Sequence, residues 1–161
     1  IERYVNSATF VPWLILRDLD QDAECGATLR HSLSTRTLPL LCLRVAVRQI
    51  ESWLLSDREA IRDFLRVRIA AVPMQPETLV NAKVGMVNLA RQSSSRMIRE
   101  AMVPRDGSGA SEGAEFSAFL IEFVQKHWRP DVAASLEPRS SLARALSCLE
   151  RLIENAGVET A

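Results

Sequence analysis

The chain has 161 residues, of which 47% are hydrophobic, and its acidic and basic side chains are equal in number. This size and composition are typical of one globular domain and argue against a disordered chain. A net charge of zero gives no overall field that would attract nucleic acid or an acidic membrane, so contact with phosphate requires a local basic patch. No apolar run reaches the roughly 18 residues that a membrane span needs.

The cysteines and histidines indicate neither disulfides nor zinc. Cys25, Cys42 and Cys148 are odd in number, widely spaced and without a C-x-x-C pair, which favours a reducing, cytoplasmic setting. His31 and His127 lack metal-ligand spacing. We therefore expect a cytoplasmic protein without a signal peptide and without a membrane partner.

Two short apolar runs in the first third of the chain predict buried strands of a small, largely parallel sheet. They cover residues 10–16 and 40–47, and the connection between them is long enough for a helix over residues 24–33. After the second run, apolar residues recur at steps of three and four, which is typical of helices.

The remainder of the chain has helical patterns. A capping box formed by Ser56 and Glu59 predicts a helix that starts at Asp57, and Gly157 is expected to end the last helix. We therefore predict a single α/β domain, with an α/β half over residues 1–57 and a C-terminal helical extension over residues 58–161. Apolar stripes predict further helices over residues 79–92, 116–123 and 142–153.

Asp18 and Asp20 directly follow the first predicted strand and are the strongest indication of function. In an extended chain, residues two apart point to the same side, with Cα atoms about 6.5 Å from one another. Both carboxylates are then close enough to bind one Mg²⁺ or Mn²⁺ ion, and Asp22 and Glu24 continue the alternation. Ligands of open α/β sheets also collect at the carboxyl ends of strands. The alternative is a polar turn in which one aspartate caps the next helix.

Three other charged residues complete the predicted site. Glu51 follows the second strand and is predicted to be a third ligand or general base, unless it is a surface glutamate paired with Arg48 or Arg58. Lys83 falls inside the apolar arc of its helix. We predict that Lys83 and Arg48 contact phosphate; alternatively, the Lys83 stem follows the core edge while its ammonium reaches solvent.

Three motifs give the chain a resemblance to a known family. Together they resemble domain-of-unknown-function family four-two-seven-six, an uncharacterised bacterial family regarded as TOPRIM-like, over nearly the whole chain. The resemblance implies a TOPRIM-like sheet in which a D-x-D after a strand holds Mg²⁺, here Asp18 and Asp20, with Asp22 as a further member. The motifs are P-W-L-I-L-R-D-L-D at residues 12–20, I-E-S-W-L-L-S-D at residues 50–57, and H-W-R-P…P-R-S-S-L-A-R within residues 127–144.

The implied function is metal-dependent cleavage of phosphodiester bonds, with nucleic acid or a small phosphoester as substrate. TOPRIM-like proteins also carry a glutamate after their first strand, and residues 1–8 contain no strand followed by Glu-Gly. We expect the natural start to lie upstream of Ile1, and we expect the chain from Ile1 to Ala161 to cleave poorly. The alternative is a non-catalytic interaction module, such as the partner subunit of an ATPase, with a vestigial acid cluster.

Overall fold

The computed structural model describes residues 1–157, which form a mixed α/β fold with a small parallel sheet. The chain divides into two compact units. The sheet unit comprises Ile1–Arg48 together with residues 134–157, and the helical unit comprises Gln49–Ala133. The prediction of an α/β fold with parallel strands is confirmed.

The described residues form helices and strands, together with short 3₁₀ turns at Ile69–Ala71 and Pro76–Thr78. In chain order the elements are α1 (Glu2–Ser7), β1 (Trp13–Asp18), α2 (Gly26–Leu33), β2 (Leu41–Ala46), α3 (Ile50–Ser56), α4 (Arg58–Leu65), α5 (Ala82–Arg91), α6 (Arg96–Met102), α7 (Phe116–Lys126), α8 (Pro130–Leu136) and α9 (Ser141–Ala156).

Strand β1 begins later than its apolar run predicts. The backbone N–H groups of Phe10 and Val11 both donate to the carbonyl of Ser7, so the chain is still turning there after α1. Pro12 has no N–H to donate to a sheet and is therefore a natural boundary. The strand starts at Trp13, whose N–H donates to the carbonyl of Leu40 at 2.8 Å.

Helices α2 and α9 both pack against β2 in the sheet unit. A small apolar core forms around Leu19, Leu29 and Val45. Helix α9 is capped by the hydroxyl of Ser140 and ends at Gly157, whose φ of 66° lies in the left-handed region that glycine adopts without steric cost. The predicted end of the last helix is thereby confirmed.

The helical unit has its own, larger core. Helix α3 is buried along its length from Glu51 to Ser56, because it packs against α5, α4 and the 3₁₀ turn at Pro76–Thr78. The side chains at the centre of this core are each at most 2% exposed; they include Leu55, Met86, Met102, Phe116 and Phe123.

The side chain of Asp57 connects the start of α4 to the segment that follows α7. Its carboxylate accepts hydrogen bonds from the backbone N–H groups of Ala60, at 3.3 Å, and Arg129, at 3.0 Å, and from the Arg129 guanidinium at 2.9 Å. Ser56 donates its hydroxyl to the carbonyl of Ser52 instead of capping α4, so the predicted capping box is wrong. These bonds allow a carboxylate to be 2% exposed without an unsatisfied oxygen.

We expect Asp57→Ala to lower the free energy of unfolding by about 2–4 kcal/mol, because it removes a helix cap and leaves the Arg129 N–H without its acceptor. Glu59→Ala is the matched control, since Glu59 is an exposed acid of the same turn that pairs with Arg62. Urea unfolding should show a much smaller loss for the control. Equal losses for the two variants would contradict a structural role for Asp57.

Candidate functional site

The pairing of β1 with β2 continues beyond both strands and organises the acid cluster. The N–H of Leu19 donates to the carbonyl of Ala46 at 3.0 Å, and the N–H of Asp20 donates to the carbonyl of Arg48 at 2.9 Å. The Arg48 guanidinium donates in return to the carbonyl of Asp20 at 3.1 Å. Asp18, opposite Ala46 in the parallel register, and Asp20 therefore lie at the carboxyl edge of the sheet, with Arg48 bound to Asp20.

The chain leaves the extended conformation inside the acid loop, the name we give to residues 18–24. Asp20 has a φ of 44°, in the left-handed region, and the N–H of Asp22 donates back to the carbonyl of Leu19 at 3.0 Å. The predicted alternation of Asp18, Asp20, Asp22 and Glu24 on one side of an extended chain is therefore wrong. Aspartate is one of the few residues that adopt this conformation readily, which explains how a turn replaces the strand here.

An arginine neutralises part of the acid loop. The guanidinium of Arg17 forms an ion pair with the carboxylate of Asp22 at 2.7 Å, and both side chains are nearly half exposed. Asp22, the predicted third member of the metal site, is thus already paired with a cation. Repulsion between the neighbouring carboxylates is reduced without a metal ion.

Asp18 is the last residue of β1 and Asp20 lies two residues further along, so the backbone of both predicted metal ligands lies at the carboxyl edge of the sheet. Asp18 is half-buried and Asp20 is exposed. In residues 1–157, no three His, Cys, Asp or Glu side chains are grouped so that they could hold a metal ion. Mg²⁺ is usually bound by only one or two carboxylates, with water and substrate phosphates completing its shell, so two aspartates fit this ion.

Glu51 and Lys83 belong to the helical unit, whereas the acid loop and Arg48 belong to the sheet unit. Glu51 lies in the first turn of α3, as predicted, but its side chain is buried, with 8% of the residue exposed. It is therefore not a surface glutamate. Arg58, one of its predicted partners, donates to the carbonyls of Ile69 and Val72.

Lys83 has a carboxylate partner that sequence reasoning missed. Its ammonium lies 2.8 Å from the carboxylate of Glu112 and 5.6 Å from the centre of the Phe116 ring. The hydrogen bond from Lys83 is the main cause of a lowered pKa of Glu112, and one from Ser111 adds to it. Glu112 is 29 residues away from Lys83 in the sequence, so no helical spacing could indicate this pair.

Gly113 fixes the position of the loop that carries Glu112. A Cβ atom on Gly113 would lie 2.2 Å from the carbonyl oxygen of Ala101, so only glycine fits against the end of α6. The N–H of Gly113 also donates to the carbonyl of Met102 at 3.0 Å. Glu112 is therefore held in place for Lys83 by backbone packing.

The chain was compared with protein-family models, curated proteins and solved structures, and none of them matches. Among the described helices, none is sufficiently long and apolar to cross a membrane. The inference of function accordingly rests on the chain's own residues.

We expect Lys83→Met to destabilise the protein at neutral pH by less than about 1 kcal/mol, since the ion pair is partly exposed. Because the pKa of Glu112 is lowered in the folded protein, its stabilisation is complete above the ordinary pKa of a glutamate. That stabilisation is lost as the pH falls through the lowered value. The difference in stability between wild type and variant should therefore shrink in acid.

Lys126→Met is the matched control for Lys83→Met. Lys126 also pairs with a glutamate, Glu122, but both side chains lie on the surface. Thermal unfolding across a pH series should show a smaller loss for this control. A loss for Lys83→Met that is the same at every pH would show that its pairing with Glu112 is not the cause.

The cysteines of the sheet unit should differ in reactivity. Burial is the main cause that raises the pKa of Cys42 to about 12, and a hydrogen bond with Cys148 adds to it. Hydrogen bonds from Thr28 lower the pKa of the exposed Cys25. Because the thiolate is the nucleophile, iodoacetamide at pH 8 should modify Cys25 first and Cys42 only on unfolding. Mass spectrometry of the peptides checks this order, and early modification of Cys42 would contradict it.

Proposed function

We propose that Asp18 and Asp20 bind Mg²⁺ or Mn²⁺ and that the protein is a TOPRIM-like hydrolase of phosphodiester bonds, the function predicted from its sequence motifs. The observation that carries this proposal is the reciprocal bonding between Asp20 and Arg48 beyond the strand ends. It holds the backbone of Asp20 and the guanidinium of Arg48 together at the carboxyl edge of a parallel sheet, where ligands of α/β proteins bind.

Each of these residues has a distinct role in the proposal. Asp18 ends a paired strand and supplies a ligand on rigid backbone, while Asp20 supplies a ligand from the turn. A bound Mg²⁺ activates water and offsets charge on the phosphate oxygens. Arg48 binds a phosphate oxygen of the substrate, because its planar guanidinium still has donors beyond the one bonded to Asp20.

Asp22 completes the metal site only when its ion pair with Arg17 opens. Arg17 thus competes with the metal for this carboxylate. Glu51 as third ligand or general base, and Lys83 as a phosphate contact, remain predictions. Lys83 would have to exchange Glu112 for a phosphate group.

A second candidate function, a non-catalytic interaction module, is favoured by the apolar surface of β1. Leu14 and Leu16 alternate along this strand and are 42% and 45% exposed, and Phe10 just before it is 85% exposed. Parallel sheets are normally covered on both faces, so exposed leucines on β1 are suited to contact with a partner. The ATPase partner implied for TOPRIM-like proteins would be of this kind.

Calorimetric titration with Mn²⁺ tests the proposed metal ligands. We expect millimolar or tighter binding by the wild type, and no measurable binding by the double variant Asp18→Asn with Asp20→Asn. Arg17→Gln should tighten binding several-fold, because it releases Asp22 and removes a nearby positive charge. Glu24→Gln is the control, since it removes one charge from the same exposed loop without removing a proposed ligand. Equal binding by the double variant would exclude Asp18 and Asp20 as the metal ligands.

Cleavage assays separate the two candidate functions. With Mn²⁺ or Mg²⁺ and labelled DNA or RNA, we expect slow cleavage that falls at least about 100-fold in the Asp18→Asn, Asp20→Asn variant, as is common when an essential carboxylate is lost. Metal binding without cleavage of either nucleic acid or of a small phosphodiester would favour the interaction module.

A further inference from the structure

A pocket of about 670 Å³ lies on the helical unit, away from every residue of the proposed metal site along the chain. Helices α5 and α6 and the loop after α6 form its walls. Volumes of roughly 300–1,000 Å³ are typical of sites for small molecules. We call it the arginine pocket, because three of its lining residues are Arg91, Arg99 and Arg105; the others are Glu100, Val103, Pro104 and Asp106.

The positive charge of the arginine pocket is not neutralised within the described chain. None of its three arginines takes part in an ion pair there. Glu100 is neutralised from outside the pocket, because Arg96 binds its carboxylate at 2.6 Å. Asp106 is then the remaining acid among the lining residues, and its single negative charge faces the positive charge of three guanidinium groups.

Backbone and amide groups hold parts of this pocket in place. Arg99 is half-buried and donates to the carbonyl of Ser93, and Arg91 donates to the side-chain oxygen of Asn88 at 2.8 Å. The carbonyl of Arg105 accepts from the N–H of Ser108, which closes a turn. Each guanidinium has five N–H donors, so most of them remain available to a ligand.

We propose that the arginine pocket binds a small ligand with at least two negative charges on phosphate groups, of the size of a nucleoside diphosphate. Guanidinium groups bind phosphate oxygens in a bidentate manner and at close range. The volume exceeds that of a phosphate group alone, so the remainder of the ligand has space beside Val103 and Pro104. This site goes beyond the proposed metal site and does not depend on Asp18 or Asp20.

Calorimetric titration with inorganic pyrophosphate and with ADP, at low salt and without divalent metal, tests the proposal. We expect Arg105→Gln to weaken binding roughly tenfold and Arg91→Gln with Arg105→Gln roughly 100-fold, since each substitution removes a charged hydrogen-bond donor to phosphate. Asp106→Asn should tighten binding several-fold, because it removes the acid that repels phosphate.

Arg68→Gln is the matched control, since Arg68 is an exposed arginine of the same unit outside the pocket and should bind as the wild type does. Arg91 and Arg105 are also exposed, so the melting temperatures of all these variants should stay close to that of the wild type. No binding of either probe by the wild type, or equal binding by the double arginine variant, would overturn the proposal.

Two further titrations test which class of ligand binds and whether the arginine pocket is independent of the proposed metal site. The Asp18→Asn, Asp20→Asn variant should bind ADP with unchanged affinity, and a loss of binding would refute an independent pocket. A single-stranded oligonucleotide should bind more weakly than ADP. If the oligonucleotide binds through Arg91 and Arg105 while pyrophosphate and ADP do not, the pocket is a nucleic-acid contact and the small-ligand assignment is wrong.

Discussion

Backbone pairing between β1 and β2 sets the position of the proposed metal ligands. It starts at Trp13 and extends past the strand ends to Arg48, where two hydrogen bonds join this residue to Asp20. Backbone bonds of this kind do not depend on pH or on a bound ion. The backbone of Asp18 and Asp20 is therefore held at one sheet edge by bonds that need no bound ion.

The carboxylates that pair with arginine differ in exposure between the two units. In the helical unit, the Asp57 carboxylate is buried and accepts hydrogen bonds from Ala60 and Arg129, so its role is structural. In the sheet unit, the pair of Arg17 with Asp22 is exposed and therefore weak, so it can open at low cost. An exposed pair beside two further aspartates is thus compatible with a site whose metal affinity is modest and is tuned by Arg17.

Features that depend on neighbouring residues could be predicted from the sequence. Apolar runs located both strands to within a few residues, and the apolar stripe followed by Gly157 located α9. Helix α6 was missed because Arg96–Met102 is short and carries two arginines and a glutamate among its seven residues.

Features that depend on distant partners could not be predicted in this way. The buried bonds between Asp57 and Arg129 join residues 72 apart in the sequence. The left-handed conformation of Asp20 accompanies its pairing with the chain after β2, since the consecutive N–H groups of Leu19 and Asp20 both donate to that side, whereas consecutive N–H groups of an extended strand point to opposite sides. Local alternation alone therefore predicted an extended chain in the acid loop, where the structure has a turn.

Paramagnetic relaxation by Mn²⁺, measured on the backbone amide signals of the ¹⁵N-labelled protein, tests the central claim most directly. Because Mn²⁺ broadens nearby signals, a sub-stoichiometric addition should broaden the amides of Leu19, Asp20 and Arg48 first. An excess of Mg²⁺ should restore these signals by displacement, and the Asp18→Asn, Asp20→Asn variant should show no selective broadening. Broadening centred on acids elsewhere in the chain, or no selective broadening at millimolar Mn²⁺, would contradict a metal site at the acid loop.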